Sequence, residues 1–153
     1  HRLGGLEKAE FTGSVSYDPK NHEKMCKIRA DKIARLAERL PNQEIEGNAD
    51  ADTLVVAWGG TYGSIHTAVK RMNANGDKLA YAHFNYINPM PKNTAKLLSK
   101  YKKIVVAELN AGQFVKVLRD AFPENRYLQY NKIQGMPFTV EELMSHFSKI
   151  INE

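Results

Sequence analysis

A glycine-rich turn in the first half of the chain has the residue types of an anion-binding site. It consists of Gly59, Gly60, Thr61, Tyr62 and Gly63. A β-branched apolar run, residues 53–58, precedes the turn and an amphipathic pattern follows it, which predicts a strand, a tight turn and a helix. Because glycines let backbone N–H groups approach a ligand and a helix N-terminus favours negative charge, the turn could bind a phosphate or a carboxylate. It lacks the full G-x-G-x-x-G fingerprint and the P-loop lysine, so a tight turn capped by Thr61 is the simpler interpretation.

A second candidate site follows another apolar run, residues 103–107, whose next residue is Glu108. A carboxylate at the carboxyl end of a buried strand could bind a hydroxyl, a cation or a neighbouring subunit, or it could serve the fold alone. Asn110 and Gln113 fit a helix N-cap with its reciprocal partner, which needs no ligand. The capping interpretation explains those two residues, and both interpretations stay open for Glu108.

Histidines supply the remaining candidates. His83 lies at the end of a third apolar run and could act as an acid or a base, but no carboxylate partner can be read from the sequence, which favours a structural histidine. His22 and Cys26 are one helical turn apart and could bind a metal; without a third ligand nearby we expect no metal site. The chain has neither a Ser–His–Asp order nor a Cys–His signature, so we predict no catalytic residue in it.

The elements that position these residues alternate between strands and helices. The predicted strands are residues 44–46, 53–58, 78–84, 103–107 and 127–131. The predicted helices are residues 21–40, with Asn21 as N-cap, 61–75, 93–101, 112–122 and a last one behind the capping box Thr139 and Glu142. This alternation predicts an α/β fold of three layers, a mostly parallel sheet with helices on both sides. Residues 1–20 have no periodicity and are predicted to be a linker arm that leans on another part of a longer protein, and residues 21–153 form the domain.

Composition excludes several classes of function. The chain has 153 residues, of which 42% are hydrophobic and 25% charged, as expected of one soluble globular domain. No apolar run approaches about 18 residues, the length of a membrane span. The net charge of +5 comes without an aromatic RNA-binding signature or a concentrated basic run, which argues against nucleic acid as a partner. The single cysteine, Cys26, excludes a disulfide framework and fits a reducing cytoplasm.

Five segments of the sequence resemble one known family, in order along the chain. They are GLEKAEFTGSVSYDPKNHEKM (residues 5–25), TLVVAWGGTYGSIHTAV (53–69), HFNYINPMPKN (83–93), VAELNAGQ (106–113) and YNKIQGMPF (130–138). They are similar to the alpha subunits of 2-oxoacid:ferredoxin oxidoreductases, especially of the 2-oxoglutarate type; residues 8–11, KAEF, depart from the more acidic residues common there. The resemblance implies the C-terminal domain of that subunit, with the fold of the transketolase C-terminal domain. That fold has a five-stranded sheet in which one edge strand, here residues 44–46, is antiparallel to the others.

The resemblance also implies what the whole enzyme does. Enzymes of that family oxidatively decarboxylate a 2-oxoacid, transfer the acyl group to coenzyme A and reduce ferredoxin, with thiamine diphosphate, magnesium and an iron–sulfur cluster as cofactors. The diphosphate and cluster sites belong to the beta subunit and the thiamine pyrimidine site to the preceding alpha domain. No cofactor-binding or metal site is therefore expected in this fragment, which should be inactive alone. Its one cysteine cannot supply the four thiolates that a cluster usually needs.

Assembly is then the expected role of this piece. Its partners would be the upstream domains of the alpha subunit and the beta subunit, with ferredoxin reached through the complex. The carboxyl edge of the sheet would face the neighbouring domain or subunit, and residues 5–17 would pack against the upstream domain. The residues expected at that edge are Gly60, Thr61, Glu108 and Asn110. Two alternatives stay open: a standalone phosphate- or nucleotide-binding module that uses the glycine-rich turn, and the C-terminal domain of another thiamine-dependent enzyme subunit.

Overall fold

Residues 5–152 are described by the computed structural model. They divide into two units, one that ends at Leu40 and one that begins at Pro41. Residues 1–4 of the predicted arm and residue 153 of the predicted domain lie outside the described residues. The division into an arm of residues 1–20 and a domain of residues 21–153 stays a prediction.

The first unit contains one α-helix among its described residues. The helix is α1 (Pro19–Leu36), and a 3₁₀ turn (Ala37–Arg39) follows it. The N-cap is Asp18, whose side chain accepts a hydrogen bond from the backbone N–H of Lys20 at 3.0 Å. Pro19 occupies the first helical position, where its fixed φ suits a helix and its missing N–H is not needed. The prediction of Asn21 as the N-cap is therefore wrong, because the helix begins before that residue.

Residues 5–18 fold back towards α1 and are not structureless. An isolated antiparallel bridge joins Lys8 to Val15. The Asn21 side chain accepts a hydrogen bond from the backbone N–H of Glu10 at 3.1 Å and donates one to the carbonyl of Lys8 at 2.8 Å. Within this unit no side chain of α1 is buried, so the apolar face of the helix is uncovered there.

The second unit is built on a five-stranded sheet. The strands are β1 (Glu46–Gly47), β2 (Thr53–Trp58), β3 (Leu79–Phe84), β4 (Lys103–Glu108) and β5 (Tyr127–Asn131). Their order is β1-β3-β2-β4-β5, in which β1 is antiparallel to β3 and the other pairs are parallel. This confirms the predicted mostly parallel sheet with one antiparallel edge strand. That strand begins at Glu46, the last residue of the range predicted for it.

Helices cover both faces of the sheet. They are α2 (Tyr62–Ala74), α3 (Thr94–Leu98), α4 (Gln113–Ala121) and α5 (Val140–Asn152). Leu54 and Val56 of β2 pack in the apolar cluster with α3 and α4, whereas Val55 and Ala57 pack in the cluster with α2 and α5. Successive strand side chains point to opposite faces, so a strand covered on both sides is apolar throughout. The predicted three-layer αβα architecture is confirmed, with α3 shorter than predicted.

The last helix begins as its sequence predicts. The backbone N–H of Thr139 donates to Glu142 Oε1 at 3.1 Å, and the backbone N–H of Glu142 donates to Thr139 Oγ1 at 3.2 Å, which is a capping box. Lys132 adds a hydrogen bond to Glu142 Oε1 at 2.7 Å. Across the described residues, no helix has both the length and the apolar character needed to cross a membrane.

Candidate functional site at the carboxyl edge of the sheet

The carboxyl ends of β2 and β4 form a crevice in the second unit. From β2 the chain passes through α2 to β3 on one side, and β4 lies on the other side, so the strand order reverses here. Open α/β sheets bind their ligands at such a point. The crevice has a volume of about 190 Å³ and is lined by Trp58, Gly59, Gly60, Thr61, Glu108, Leu109 and Asn110. The structure thus brings the glycine-rich turn and the second candidate site together, as residues on neighbouring strand ends.

Glu108 is buried in this crevice and serves the fold. Its side chain is 1% exposed. Oε1 accepts hydrogen bonds from Trp58 Nε1 at 3.1 Å and from the backbone N–H of Phe114 at 2.8 Å, and Oε2 accepts one from the backbone N–H of Val115 at 3.1 Å. The first N–H groups of a helix have no partner within the helix, and a carboxylate near them is favoured by the helix dipole. Glu108 therefore caps α4 from the strand that precedes it.

Asn110 caps the same helix from the loop. Its Oδ1 accepts hydrogen bonds from the backbone N–H groups of Gly112 at 2.8 Å and of Gln113 at 2.9 Å, so its side chain serves N–H groups at the helix start as predicted. The N-cap position itself is occupied by Gly112 and not by Asn110. The reciprocal bond predicted from the Gln113 side chain is not among the hydrogen bonds of the described residues. Gln113 is exposed and lines a neighbouring apolar recess of about 400 Å³ together with Trp58, Ile87, Asn88, Met90, Phe114 and Val117.

The glycine-rich turn is a short 3₁₀ segment that leads into α2. Thr61 was predicted to cap this helix, but no side-chain cap bond is formed; its hydroxyl donates to the carbonyl of Trp58 at 2.8 Å. Thr61 has helical backbone angles, φ −91° and ψ −6°, and a hydroxyl in that conformation bonds back to a preceding carbonyl. Tyr62 and Gly63 form the first turn of α2. Anion binding by this turn stays a prediction.

His83 lies in a separate recess between β1 and the start of α2. We call this recess the carboxylate pocket; its volume is about 570 Å³ and its polar lining includes Gln43, Glu44, Glu46, Tyr62, His83 and Tyr86. His83 Nδ1 lies 2.8 Å from the Tyr81 hydroxyl, and the ring also hydrogen-bonds the backbone carbonyl of Gly59. Burial is the main cause that lowers the pKa of His83. A pKa below the ordinary 6.5 keeps the imidazole mainly neutral at pH 7. A purely structural role for His83 stays a prediction.

Glu46 joins the edge strand to α2 beside this histidine. His66 Nδ1 lies 2.7 Å from Glu46 Oε2, and the Tyr62 hydroxyl donates to Glu46 Oε1 at 3.3 Å. The Tyr62 ring stands edge-on to His83, with 5.2 Å between ring centroids. Burial, followed by the nearby Glu46 carboxylate, raises the pKa of Tyr62, so its hydroxyl remains a donor. Sequence reasoning missed Glu46, because only the antiparallel pairing of β1 with β3 brings it to this place.

The first unit holds a cluster that the sequence only partly predicted. Ligand-capable atoms of Glu7, His22 and Cys26 lie within 4.8 Å of one another, so a third possible metal ligand does lie near His22 and Cys26. However, Arg29 donates to both carboxylate oxygens of Glu7 at 3.1 Å and 2.9 Å, and to Cys26 Sγ at 3.2 Å. The guanidinium therefore bonds to two of the three possible ligands, and its hydrogen bond is the main cause that lowers the pKa of Glu7 to about 2. The absence of a metal site here stays a prediction. The cluster is an ion-pair network that ties residues 5–18 to α1.

Comparison with known proteins gives one consistent family. Residues 51–143 match the family described as pyruvate:ferredoxin oxidoreductase core domain II. The 2-oxoglutarate oxidoreductase subunit KorA of Mycobacterium tuberculosis is 38% identical over 148 residues, which are 94% of this chain and 22% of that protein.

Solved structures agree on the fold. The 2-oxoglutarate:ferredoxin oxidoreductase from Magnetococcus marinus, described with 2-oxoglutarate, coenzyme A and succinyl-CoA bound, is 31% identical. It matches 99% of this chain and 27% of its own chain with a TM-score of 0.83. A split-gene transketolase in an inactive tetramer matches 71% of this chain and 41% of its own with a TM-score of 0.51; at 18% identity, this likeness shows the fold alone. The chain therefore spans about a quarter of the length of each of these two matched chains.

Proposed function

Because the chain belongs to the pyruvate:ferredoxin oxidoreductase core domain II family, we propose that it is the assembly domain of the alpha subunit of a 2-oxoglutarate:ferredoxin oxidoreductase. The whole enzyme would convert a 2-oxoacid and coenzyme A to acyl-CoA and carbon dioxide, and the two electrons released would reduce ferredoxin. The similarity to the Mycobacterium tuberculosis and Magnetococcus marinus proteins along nearly the whole chain supports this assignment. A reducing cytoplasm, in which the exposed Cys26 stays a thiol, is part of the proposal.

The assembly role is supported mainly by the location of the large apolar side chains that the second unit exposes. Among its described residues, these side chains are Ile45, Tyr62, Tyr86, Leu109, Val117, Ile133 and Met136. Five of them lie in the segments that directly follow β2, β3, β4 and β5, at the carboxyl edge of the sheet. Ile45 lies at the same edge, because it precedes β1, which is antiparallel to β3. Ile133 is 72% exposed and Met136 63%. Exposed apolar side chains that share one edge of a domain support a surface that another protein covers.

The polar groups at the same edge support an interface and not an active site. The Glu108 carboxylate, the Asn110 side-chain oxygen and the Thr61 hydroxyl all bond to backbone or side-chain groups of this unit. These bonds give each of the three a role in the fold. The chain has one cysteine, so it does not fit an iron–sulfur cluster. In this proposal the cluster, thiamine diphosphate and magnesium are bound by the upstream alpha domains and the beta subunit.

Purification of the intact parent chain from its source tests the enzyme assignment. We expect a beta subunit that contains thiamine diphosphate and an iron–sulfur cluster to co-purify with it. The complex should reduce ferredoxin with 2-oxoglutarate only when coenzyme A is present. A parent chain that purifies alone, without either cofactor, would overturn the assignment.

Substitutions at the apolar edge test the assembly role. Ile133→Lys and Met136→Lys in the parent chain should each weaken subunit association by about 10-fold or more, because a lysine would be buried against an apolar surface. Ala121→Lys is the control, since Ala121 is exposed at the end of α4, on the opposite side of the sheet. Equal association of all three variants and the unchanged chain would contradict an interface at this edge.

A further inference from the structure

The carboxylate pocket has a chemistry that its neighbours do not share. Ten residues line it, and among them Glu44 and Glu46 are acidic while none is a lysine or an arginine. The whole chain has a net charge of +5. The pocket is therefore acidic although the chain as a whole is basic. The walls of a recess have a low dielectric constant, which strengthens the electric field of the carboxylates.

We propose that this pocket binds a lysine or arginine side chain of the neighbouring subunit, and we call the pocket in this role the socket. The proposal rests on the proposed function, which brings a subunit against this edge of the sheet. It adds the chemistry of the partner residue that enters here. A protein segment is favoured over a free small cation because the pocket adjoins the exposed apolar side chains Ile45, Tyr62 and Tyr86, which a covering protein surface would bury at the same time.

The two carboxylates of the pocket differ in their hydrogen bonds. Glu46 is held from behind by His66 Nδ1 at 2.7 Å and by the Tyr62 hydroxyl at 3.3 Å, so its position is set by α2. The Glu44 side chain is exposed, and among the described residues its carboxylate has neither a hydrogen bond nor an ion pair. The Glu44 carboxylate is thus available to a partner, and a guanidinium or ammonium group would supply the hydrogen-bond donors that it lacks.

Aromatic rings complete the socket. Tyr62 and Tyr86 line it and each is 43% exposed. A cation that sits over a tyrosine face is attracted by the ring, more strongly when water is excluded. The Tyr62 ring is held in place by His66, stacked at 5.2 Å between centroids, and by His83, edge-on at the same distance.

His83 leaves the charge of the pocket negative. Its Nδ1 lies 2.8 Å from the Tyr81 hydroxyl, and its ring also interacts with the backbone of Gly59. Its pKa is lowered, mainly by burial, so it adds no positive charge at pH 7. A lysine or arginine would therefore enter a recess with two carboxylates and without a competing cationic lining residue.

Glu44→Gln in the intact parent chain tests the socket. Because the Glu44 side chain is exposed and its carboxylate has no hydrogen bond or ion pair in the described part of the chain, this change should leave folding intact. The dissociation constant of the complex with the beta subunit, measured at about 50 mM salt, should rise about 10-fold. The effect should shrink at about 500 mM salt, where exposed charges are screened. Glu124→Gln, at an exposed glutamate between α4 and β5 on the opposite edge, is the matched control and should bind as the unchanged chain does.

The outcomes separate the socket from the proposed function. If Ile133→Lys weakens association and Glu44→Gln does not, the edge is an interface but the socket proposal is wrong. An equal effect of Glu44→Gln and Glu124→Gln would also overturn the socket, since it would report only a change in total charge. If Ile133→Lys, Met136→Lys and Glu44→Gln all leave association unchanged, the interface itself is wrong.

Discussion

Trp58 Nε1 donates a hydrogen bond to Glu108 Oε1 across 3.1 Å and so joins the last residue of β2 to the last residue of β4. The same carboxylate accepts two backbone N–H groups at the start of α4. One buried side chain therefore connects two central strands and a helix at the edge where an α/β sheet usually binds its ligand. The Glu108 carboxylate therefore serves the fold at this edge of the sheet.

Glu108→Ala should destabilise the chain. It leaves two backbone N–H groups buried without an acceptor, at about 1–3 kcal/mol each, so we expect a loss of about 2–6 kcal/mol in the free energy of unfolding. Urea unfolding followed by the fluorescence of Trp58, the single tryptophan, measures this directly. Glu108→Gln keeps one acceptor oxygen and should cost less. Equal stability of Glu108→Ala and the unchanged chain would show that the carboxylate does not hold α4.

The Glu7–Arg29 pair should survive to low pH. Arg29 is the main cause that lowers the pKa of Glu7, from an ordinary value of 4.5 to about 2. A carboxyl whose pKa is lowered in the folded chain stabilises it at pH values above 4.5, and this contribution is lost as the pH falls from about 4.5 to about 2. An NMR titration of the Glu7 carboxyl carbon should give a midpoint near 2. Arg29→Gln should return that midpoint towards the ordinary value; a midpoint near 4.5 in the unchanged chain would contradict the pairing.

His83 should titrate below its ordinary pKa of 6.5, because burial disfavours its charged form. The unfolded chain then takes up the proton first, so the contribution of neutral His83 to stability is complete above pH 6.5 and declines as the pH falls below it. Tyr81→Phe removes the hydroxyl that bonds Nδ1, so the NMR midpoint of the ring should move up. Tyr86→Phe, at the exposed tyrosine of the same pocket, is the control and should leave it unchanged. A midpoint above 6.5 in the unchanged chain would show that burial does not govern this ring.

Gly47 should be irreplaceable where Gly60 is not. Gly47 has φ +93°, and a Cβ there would lie 2.5 Å from the backbone carbonyl oxygen of Leu79 in the paired strand. Gly47→Ala should therefore cost about 2–4 kcal/mol in the free energy of unfolding and disrupt the pairing of β1 with β3. Gly60→Ala meets nothing within 4 Å and should change stability by less than about 1 kcal/mol. Loss of enzyme activity in Gly60→Ala with unchanged stability would instead identify the glycine-rich turn as a ligand site.

Several elements could be predicted because their signals are local. The apolar run of β2 and the spacing of Ile65, Ala68 and Met72 on α2 reflect the periods of a strand and a helix, and both elements form where these periods indicate. The capping box of Thr139 and Glu142 involves residues three positions apart, so it too is present as predicted. The signals fail at element ends, as at Asn21, because Pro19, two residues earlier, already occupies the first helical position.

The sequence alone determined the order of strands and helices, because that order depends on neighbours along the chain. The antiparallel edge strand was predicted from the family resemblance, which compares the chain segment by segment. Tertiary structure decided what each polar group does. Glu108 could not be assigned to ligand or fold until the packing brought Trp58, fifty positions earlier, within 3.1 Å. Glu46 meets His66, and Glu7 meets Arg29, only after the backbone folds back on itself. Hydrogen bonds and ion pairs act over a few ångströms of space, and the distance along the chain does not predict which groups will be that close.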